Sequence, residues 1–221
     1  AQALQYLGLY SKACKTLLQA FAIERPDCTQ EQITRLLGNL SQQRDSLSLT
    51  EAIGLRSLGD VLRRQGLLEQ SEAILQLSLS VAEGVSEASA TLLSLGNTER
   101  ALGNQIRDRW DYEVITEIID RQSQEAAVGP YQQAFNFYSQ AAAVASAPPL
   151  SKLQAQLNHF KLLLDIQQWW SGQTNQRIAS WSRQGQFRLI ERAKDFLSEL
   201  ELRLTSEARG LQTQIEFSLS T

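Results

Sequence analysis

Leu55, Leu58 and Leu62 recur at i, i+3 and i+7, so one stripe of a helix is apolar there. Gly59 lies within that stripe, and Arg56, Asp60 and Arg63 occupy the neighbouring face. The same phrase returns later, with Leu95-Gly96 standing 37 residues after Leu58-Gly59. A weaker copy, Leu157-Asn158, follows at the same interval plus 25 residues, the length of a local insertion. Between these copies runs a second pattern of glycine, apolar, small, large and small residues. Gly8, Tyr10, Ala13, Leu17 and Ala20 form one example. Gly66, Leu68, Ser71, Leu75 and Ser78 form another, and Gly129, Tyr131, Ala134, Tyr138 and Ala141 a third. All three keep the offsets +2, +5, +9 and +12.

The pattern predicts stacked helical hairpins. The glycine of each first helix removes bulk where the small residue of the second helix faces it, which allows the axes to approach closely. Leu17, Leu75 and Tyr138 then fill the wider part of each groove. Gly66 should cap the first helix and allow a tight turn, and second helices should stop near Pro26 and near Pro148-Pro149. The hairpins are expected over 1–26, 50–83, 86–147 and 150–202, with a terminal helix at 206–219 after Thr205. Three stretches depart from this plan. Residues 24–48 add a helix through Ile33, Leu36, Leu37 and Leu40. Residues 104–128 split the third hairpin and carry a short helix through Tyr112, Ile115, Ile118 and Ile119. Residues 171–187 are polar and read as a loop. Ala1–Gly8 reads as the tail of a helix, as if the chain had been cut from a larger one.

Composition agrees. Leu, Gln, Ala, Ser and Glu dominate, with only 12 glycines and 4 prolines, and 43% of the residues are hydrophobic. The expected fold is an all-α, right-handed solenoid formed by one array over residues 1–221. A pI near 5.3 argues against nonspecific nucleic-acid binding. No apolar run reaches the roughly 18 residues that would cross a bilayer. With no leader in view, a cytoplasmic location is expected. Cys14 and Cys28 with His159 cannot complete a zinc site. A disulfide framework is not expected at this size. Cys14 reads as a core residue, and Cys28 as a loop residue just before a helix.

The hairpin pattern resembles the tetratricopeptide repeat, whose unit is about 34 residues. Leu55-Arg56-Ser57-Leu58-Gly59-Asp60 and Leu92-Leu93-Ser94-Leu95-Gly96-Asn97-Thr98 are similar to the repeat region of cyanobacterial CHAT-domain proteins. So are Ala1-Gln2-Ala3-Leu4-Gln5, Leu7-Gly8-Leu9-Tyr10 and Gln154-Ala155-Gln156-Leu157-Asn158. The resemblance implies a parent with repeats ahead of a caspase-like protease domain that uses a His–Cys pair. Neither cysteine nor His159 stands in such a context here, so no catalysis and no cofactor are expected of this chain.

Function is then expected on the concave side, where first helices line repeat arrays. The candidate groove residues are Arg56, Asp60, Arg63 and Arg64, then Asn97 and Arg100, then Lys152, Gln156 and His159. Guanidinium groups pair with carboxylates in a bidentate way, so the expected ligand is an acidic or C-terminal peptide segment of a partner protein. Against that reading, Asp60 could simply pair with a neighbouring arginine on a solvated face, in a spacer or self-assembly module. Trp110 is a candidate exposed contact, Trp169 a core residue, and Trp170 and Trp181 either core or anchor.

Overall fold

The computed structural model describes the backbone of residues 1–115 and 122–171, and side chains for 1–108, 129–163 and 165–166. The described residues are all helical, without a strand. Two compact units divide the chain, Ala1–Ala155 and Gln156–Thr221. Among the described residues the helices are α1 (Gln2–Tyr6), α2 (Tyr10–Ala20), α3 (Gln30–Gln42), α4 (Leu49–Arg64), α5 (Leu68–Val81), α6 (Glu87–Ile115), α7 (Gln122–Ala143) and α8 (Pro149–Ser171).

Helix ends follow from local chemistry. Ser48 and Glu51 start α4 with a reciprocal capping box: the Ser48 hydroxyl accepts from the Glu51 amide, and the Glu51 carboxylate accepts from the Ser48 amide at 2.7 Å. Thr29 caps α3 by accepting from the Gln32 amide. Both α1 and α4 end in the same Schellman turn. The Gly8 amide bonds to the Gln5 carbonyl and the Leu9 amide to that of Leu4; Gly66 with Arg63 and Leu67 with Leu62 repeat the arrangement. Both glycines have positive φ, +72° and +82°, the backbone region that costs other residues most. The third Schellman turn closes α2, where Ala22 bonds to Gln19 and Ile23 to Leu18. Here an alanine occupies the left-handed position, at φ +57°.

Helices pack as the spacing implies. Successive pairs α1–α2, α4–α5 and α6–α7 lie against each other, and α6 also packs on both α4 and α5. A Cβ on Gly59 would come within 2.5 Å of Leu75 Cγ, and one on Gly96 within 2.4 Å of the Tyr138 ring. Close approach at these glycines was expected with small residues opposite them; the large Leu75 and Tyr138, expected in the wider part of each groove, are what meet them instead. A third close approach was not foreseen. Gly103, one heptad beyond Gly96, lies against Tyr131, one heptad before Tyr138. Each tyrosine then donates its hydroxyl at 2.9 Å to the asparagine after its glycine, Tyr138 to Asn97 and Tyr131 to Asn104.

The small residues of α5 are more than small. Ser71 donates to the Gly59 carbonyl at 2.8 Å and lies 3.0 Å from the Thr98 hydroxyl. One heptad on, Ser78 donates to the Ala52 carbonyl at 2.8 Å and lies 3.3 Å from Thr91. Both serines are fully buried. Helix α5 is thus bonded to α4 behind it and α6 ahead of it by one ladder of hydroxyls. Buried hydroxyls are tolerated because each finds a partner.

The first core is built from Ala13, Leu17, Leu18, Leu55, Leu58, Leu62 and Ile74, with Ile33 and Leu36 of α3 joining it. The helix expected within 24–48 is therefore present and docked, and α3 lies against α5. The expectation for 104–128 needs correction. Tyr112 and Ile115 belong to α6, which runs through to Ile115, and α7 begins at Gln122, so the described extra residues lengthen these two helices; Ile118 and Ile119 lie outside the described residues. Gly129 and Pro130 both lie inside α7. Tertiary packing overrides the local break: Tyr131 sits just past that Gly-Pro pair and packs on Gly103, so α7 must already be helical there. The expected loop at 171–187, the helices at 187–202 and 206–219, Trp181 and the side chains of Trp110, Trp169 and Trp170 lie outside the described residues.

Gly59→Ala and Gly96→Ala are expected to destabilise the fold by about 1–3 kcal/mol each, because Leu75 and Tyr138 must move. Gly38 of α3 is exposed and its Cβ would meet nothing, so Gly38→Ala should stabilise by about 0.5–1 kcal/mol. Chemical denaturation of the three variants checks both signs. In the same assay Ala22→Gly should gain about 1 kcal/mol, since only the left-handed backbone at that position is relieved.

Candidate functional site

The first unit carries a cleft of about 350 Å³ lined by Gln2, Gln5 and Tyr6 of α1, Tyr10 of α2, Asp60, Arg63 and Arg64 of α4, and Ser94 and Asn97 of α6. Four expected groove residues, Asp60, Arg63, Arg64 and Asn97, therefore meet in one place. They meet because α4 and α6 pack side by side, which brings the positions after Gly59 and after Gly96 onto one surface. The aromatic and amide groups of α1 and α2 were not anticipated. Their signal was present, since Gln2 precedes Gly8 by the same six residues as Asp60 precedes Gly66.

Inside the cleft Asp60 is well occupied. Its Oδ1 accepts from Arg63 at 3.4 Å and its Oδ2 from the Ser94 hydroxyl at 3.1 Å. The Asp60 and Arg63 side chains are only 24% and 17% exposed, so the pair is sheltered from solvent. Arg63 Nε is buried with no hydrogen-bond partner. Arg64 is exposed and supplies the accessible charge. The Asn97 oxygen is taken by Tyr138.

The other expected groove residues are placed differently. Arg56 does not line the cleft; its charge acts on the carboxylate of Glu87 at the start of α6. That carboxyl is held below its usual range chiefly by the Ser86 hydroxyl, with backbone hydrogen bonding and then Arg56 adding smaller effects. Arg100 is one turn past Asn97 on α6 and is not part of the lining. Lys152 is not part of the cleft lining and donates to the Ala145 carbonyl at 3.2 Å, across the turn between α7 and α8. Gln156 and His159 lie on the part of α8 that belongs to the second unit. The notion of four arginines and a lysine in one channel thus contracts to Arg63 and Arg64, with Asp60 between α4 and α6.

Two further features were missed. Cys14 and Cys28 are joined in a disulfide, a single bridge that the separate readings of a core cysteine and a loop cysteine did not foresee. Cys14 is fully buried in the core, as expected. The other feature is Glu99 of α6, only 5% exposed. By the 37-residue repeat it occupies the place of Leu62, which is fully buried. Burial pushes its carboxyl up to about 7, and the charge of Glu72 on α5 and a hydrogen bond with that side chain push the same way. The substitution was readable from the repeat alignment, as a carboxylate where the first copy has a leucine. Among the described residues no cluster of three or more His, Cys, Asp or Glu could hold a metal, and no helix is long and apolar enough to cross a membrane.

No family model, curated protein or solved structure matches the chain.

Glu99 makes stability depend on pH. Its folded value lies above the ordinary 4.5, so between those values the native chain binds more protons than the unfolded one. Stability is then complete below the unfolded value and falls as pH rises towards 7 and beyond, by at most about 3 kcal/mol. Thermal melts of Glu99→Gln should match wild type at about pH 5 and exceed it at about pH 8.

Proposed function

We propose that this chain is a recognition module of tetratricopeptide-type hairpins, and that its cleft between α1, α4 and α6 takes an acidic segment of a partner protein. The observation that carries this reading is the convergence of Arg63, Arg64 and Asn97 from successive first helices, beside the rings of Tyr6 and Tyr10, around one cleft. Tyr6 is 93% exposed and offers the apolar anchor that weak charge contacts need. Isolated exposed ion pairs contribute only about 0–1 kcal/mol, so an aromatic surface beside them is what would make affinity measurable. The recurrence of Leu58-Gly59 as Leu95-Gly96 at 37 residues, with a large side chain packed on each glycine, supports a repeat architecture. The phrase-level likeness to CHAT-protein repeats supports a parent in which the module recruits substrates or regulators for a caspase-like domain. On that reading the module itself catalyses nothing.

A second reading has one observation in its favour. The Asp60–Arg63 pair is the local neutralisation that a spacer module, with no peptide ligand, would have. The two readings separate on a titration. A fluorescent Glu hexapeptide should bind wild type in low salt, weaken as salt screens the charges, and bind Arg64→Glu about tenfold less tightly. A Gln hexapeptide should bind neither protein measurably. Equal behaviour of the Glu and Gln peptides would leave the spacer reading standing.

A further inference from the structure

The connection between α2 and α3 is an unusual piece of backbone. Within eight residues Ala22, Arg25 and Cys28 all take left-handed conformations, at φ +57°, +53° and +54°. Residues with side chains adopt this region rarely and at a cost. Something must hold the segment there, and three ties are present. The Cys14–Cys28 disulfide closes it onto the core. The Lys15–Asp27 ion pair, at 3.0 Å, joins the residues next to the two cysteines. The Gln32 side chain accepts from the Asp27 amide and donates to the Arg25 carbonyl.

These ties are unequal. Both partners of the ion pair are substantially exposed, and such pairs hold little by themselves. The Gln32 bonds are exposed as well. Within 21–29, Phe21 and Ile23 also pack against the core and Ala22 belongs to the turn that closes α2, so the covalent bond is the principal restraint on residues 24–28. Its two ends differ in a way that matters. Cys28 is partly exposed and can be reached by a small thiol. Cys14 is fully buried among Leu17, Leu18, Ile33 and Leu36, where a reduced cysteine behaves as a small apolar side chain. Helix α3 is docked independently through Ile33 and Leu36, with Leu37 and Leu40 beside them. Cutting the bond thus frees the connection and leaves the core filled.

We propose that Cys14–Cys28 is a thiol–disulfide exchange site, and that its reduction by a dithiol releases the 24–28 segment as a local redox latch. A thiolate of the dithiol attacks Cys28 Sγ, and the Sγ–Sγ bond breaks with its electron pair passing to Cys14 Sγ, which takes up a proton. The second thiolate of the reductant displaces Cys28 Sγ, which is protonated in turn, and the reductant leaves as its own disulfide. Two electrons and two protons pass to the protein. Relief of left-handed Arg25 and Cys28 favours the open form.

The test is hydrogen exchange by mass spectrometry on the whole chain, with and without dithiothreitol, beside a Cys28→Ser variant. Reduction should raise exchange in 24–28 about tenfold or more while the amides of α4 and α5 stay protected. Cys28→Ser should show the same local loss without reductant. Unchanged exchange in 24–28 after the thiols have been titrated as free would overturn the proposal, because the bond would then be an idle tie. Loss of protection in α4 and α5 together with 24–28 would also overturn it, since the bond would then hold the whole fold. Failure of dithiothreitol to free the thiols in the native chain would do the same.

Discussion

The fold of the first unit depends on how closely α5 can lie between α4 and α6. Gly59 leaves room for Leu75, and that approach brings Ser71 within 2.8 Å of the Gly59 carbonyl. The two effects need each other. A side chain at 59 would lift α5 away and leave the buried hydroxyls of Ser71 and Ser78 without their carbonyls, which costs more than the lost contact alone. Because the same serines also meet Thr98 and Thr91, the position of α6 is set by the same few atoms. Heptad spacing of both serines and both threonines keeps the ladder in register along the helices. The cleft inherits its geometry from this ladder, since Asp60 and Arg63 follow Gly59, and Ser94 and Asn97 flank Gly96.

Much of this was legible because a repeat reports its own packing. The recurrence of Gly59 as Gly96 marked where helices approach, but it set small residues opposite them. The glycines instead make room for Leu75 and Tyr138, because a missing Cβ is filled by a large neighbour and not by a second small one. Ser71 and Ser78 were read as small and not as donors, because spacing carries size but not the direction of a hydroxyl. Gly103–Tyr131 escaped notice because it belongs to a seven-residue recurrence inside the long α6–α7 hairpin and not to the 37-residue one. Gly129-Pro130 is locally a helix breaker, yet it lies inside α7, and the packing of Tyr131 on Gly103 shows why the helix continues. The disulfide was beyond sequence because it depends on a chain path through three left-handed residues, none of them glycine.

The candidate site was legible in part, and the division has a physical cause. Residues next to the packing stripe, Asp60, Arg63, Arg64 and Asn97, come together at one cleft because the stripe fixes their direction. Arg56 and Lys152 act instead on Glu87 and the Ala145 carbonyl, because long side chains follow the nearest charge or carbonyl and helical phase does not decide that. The two repeats also diverge at corresponding positions. Asp60 becomes Asn97 and Leu62 becomes Glu99, so one copy holds its carboxylate at the cleft and the other holds one within the packed interface.

That exchange bears on how the cleft and the core are coupled. Asp60 is bound from both sides, by Arg63 of its own helix and by Ser94 of the next, and so it acts as a polar rivet between α4 and α6. Glu99 is the converse: it is buried on α6 beside Glu72 of α5, and burial first, then that neighbouring acid, raises its carboxyl to about 7. Both contacts are set by where α6 stands relative to its neighbours. The packing of α6 therefore fixes the cleft on its α4 side and the buried acid on its α5 side, because Ser94 reaches Asp60 and Glu99 reaches Glu72 from the same helix.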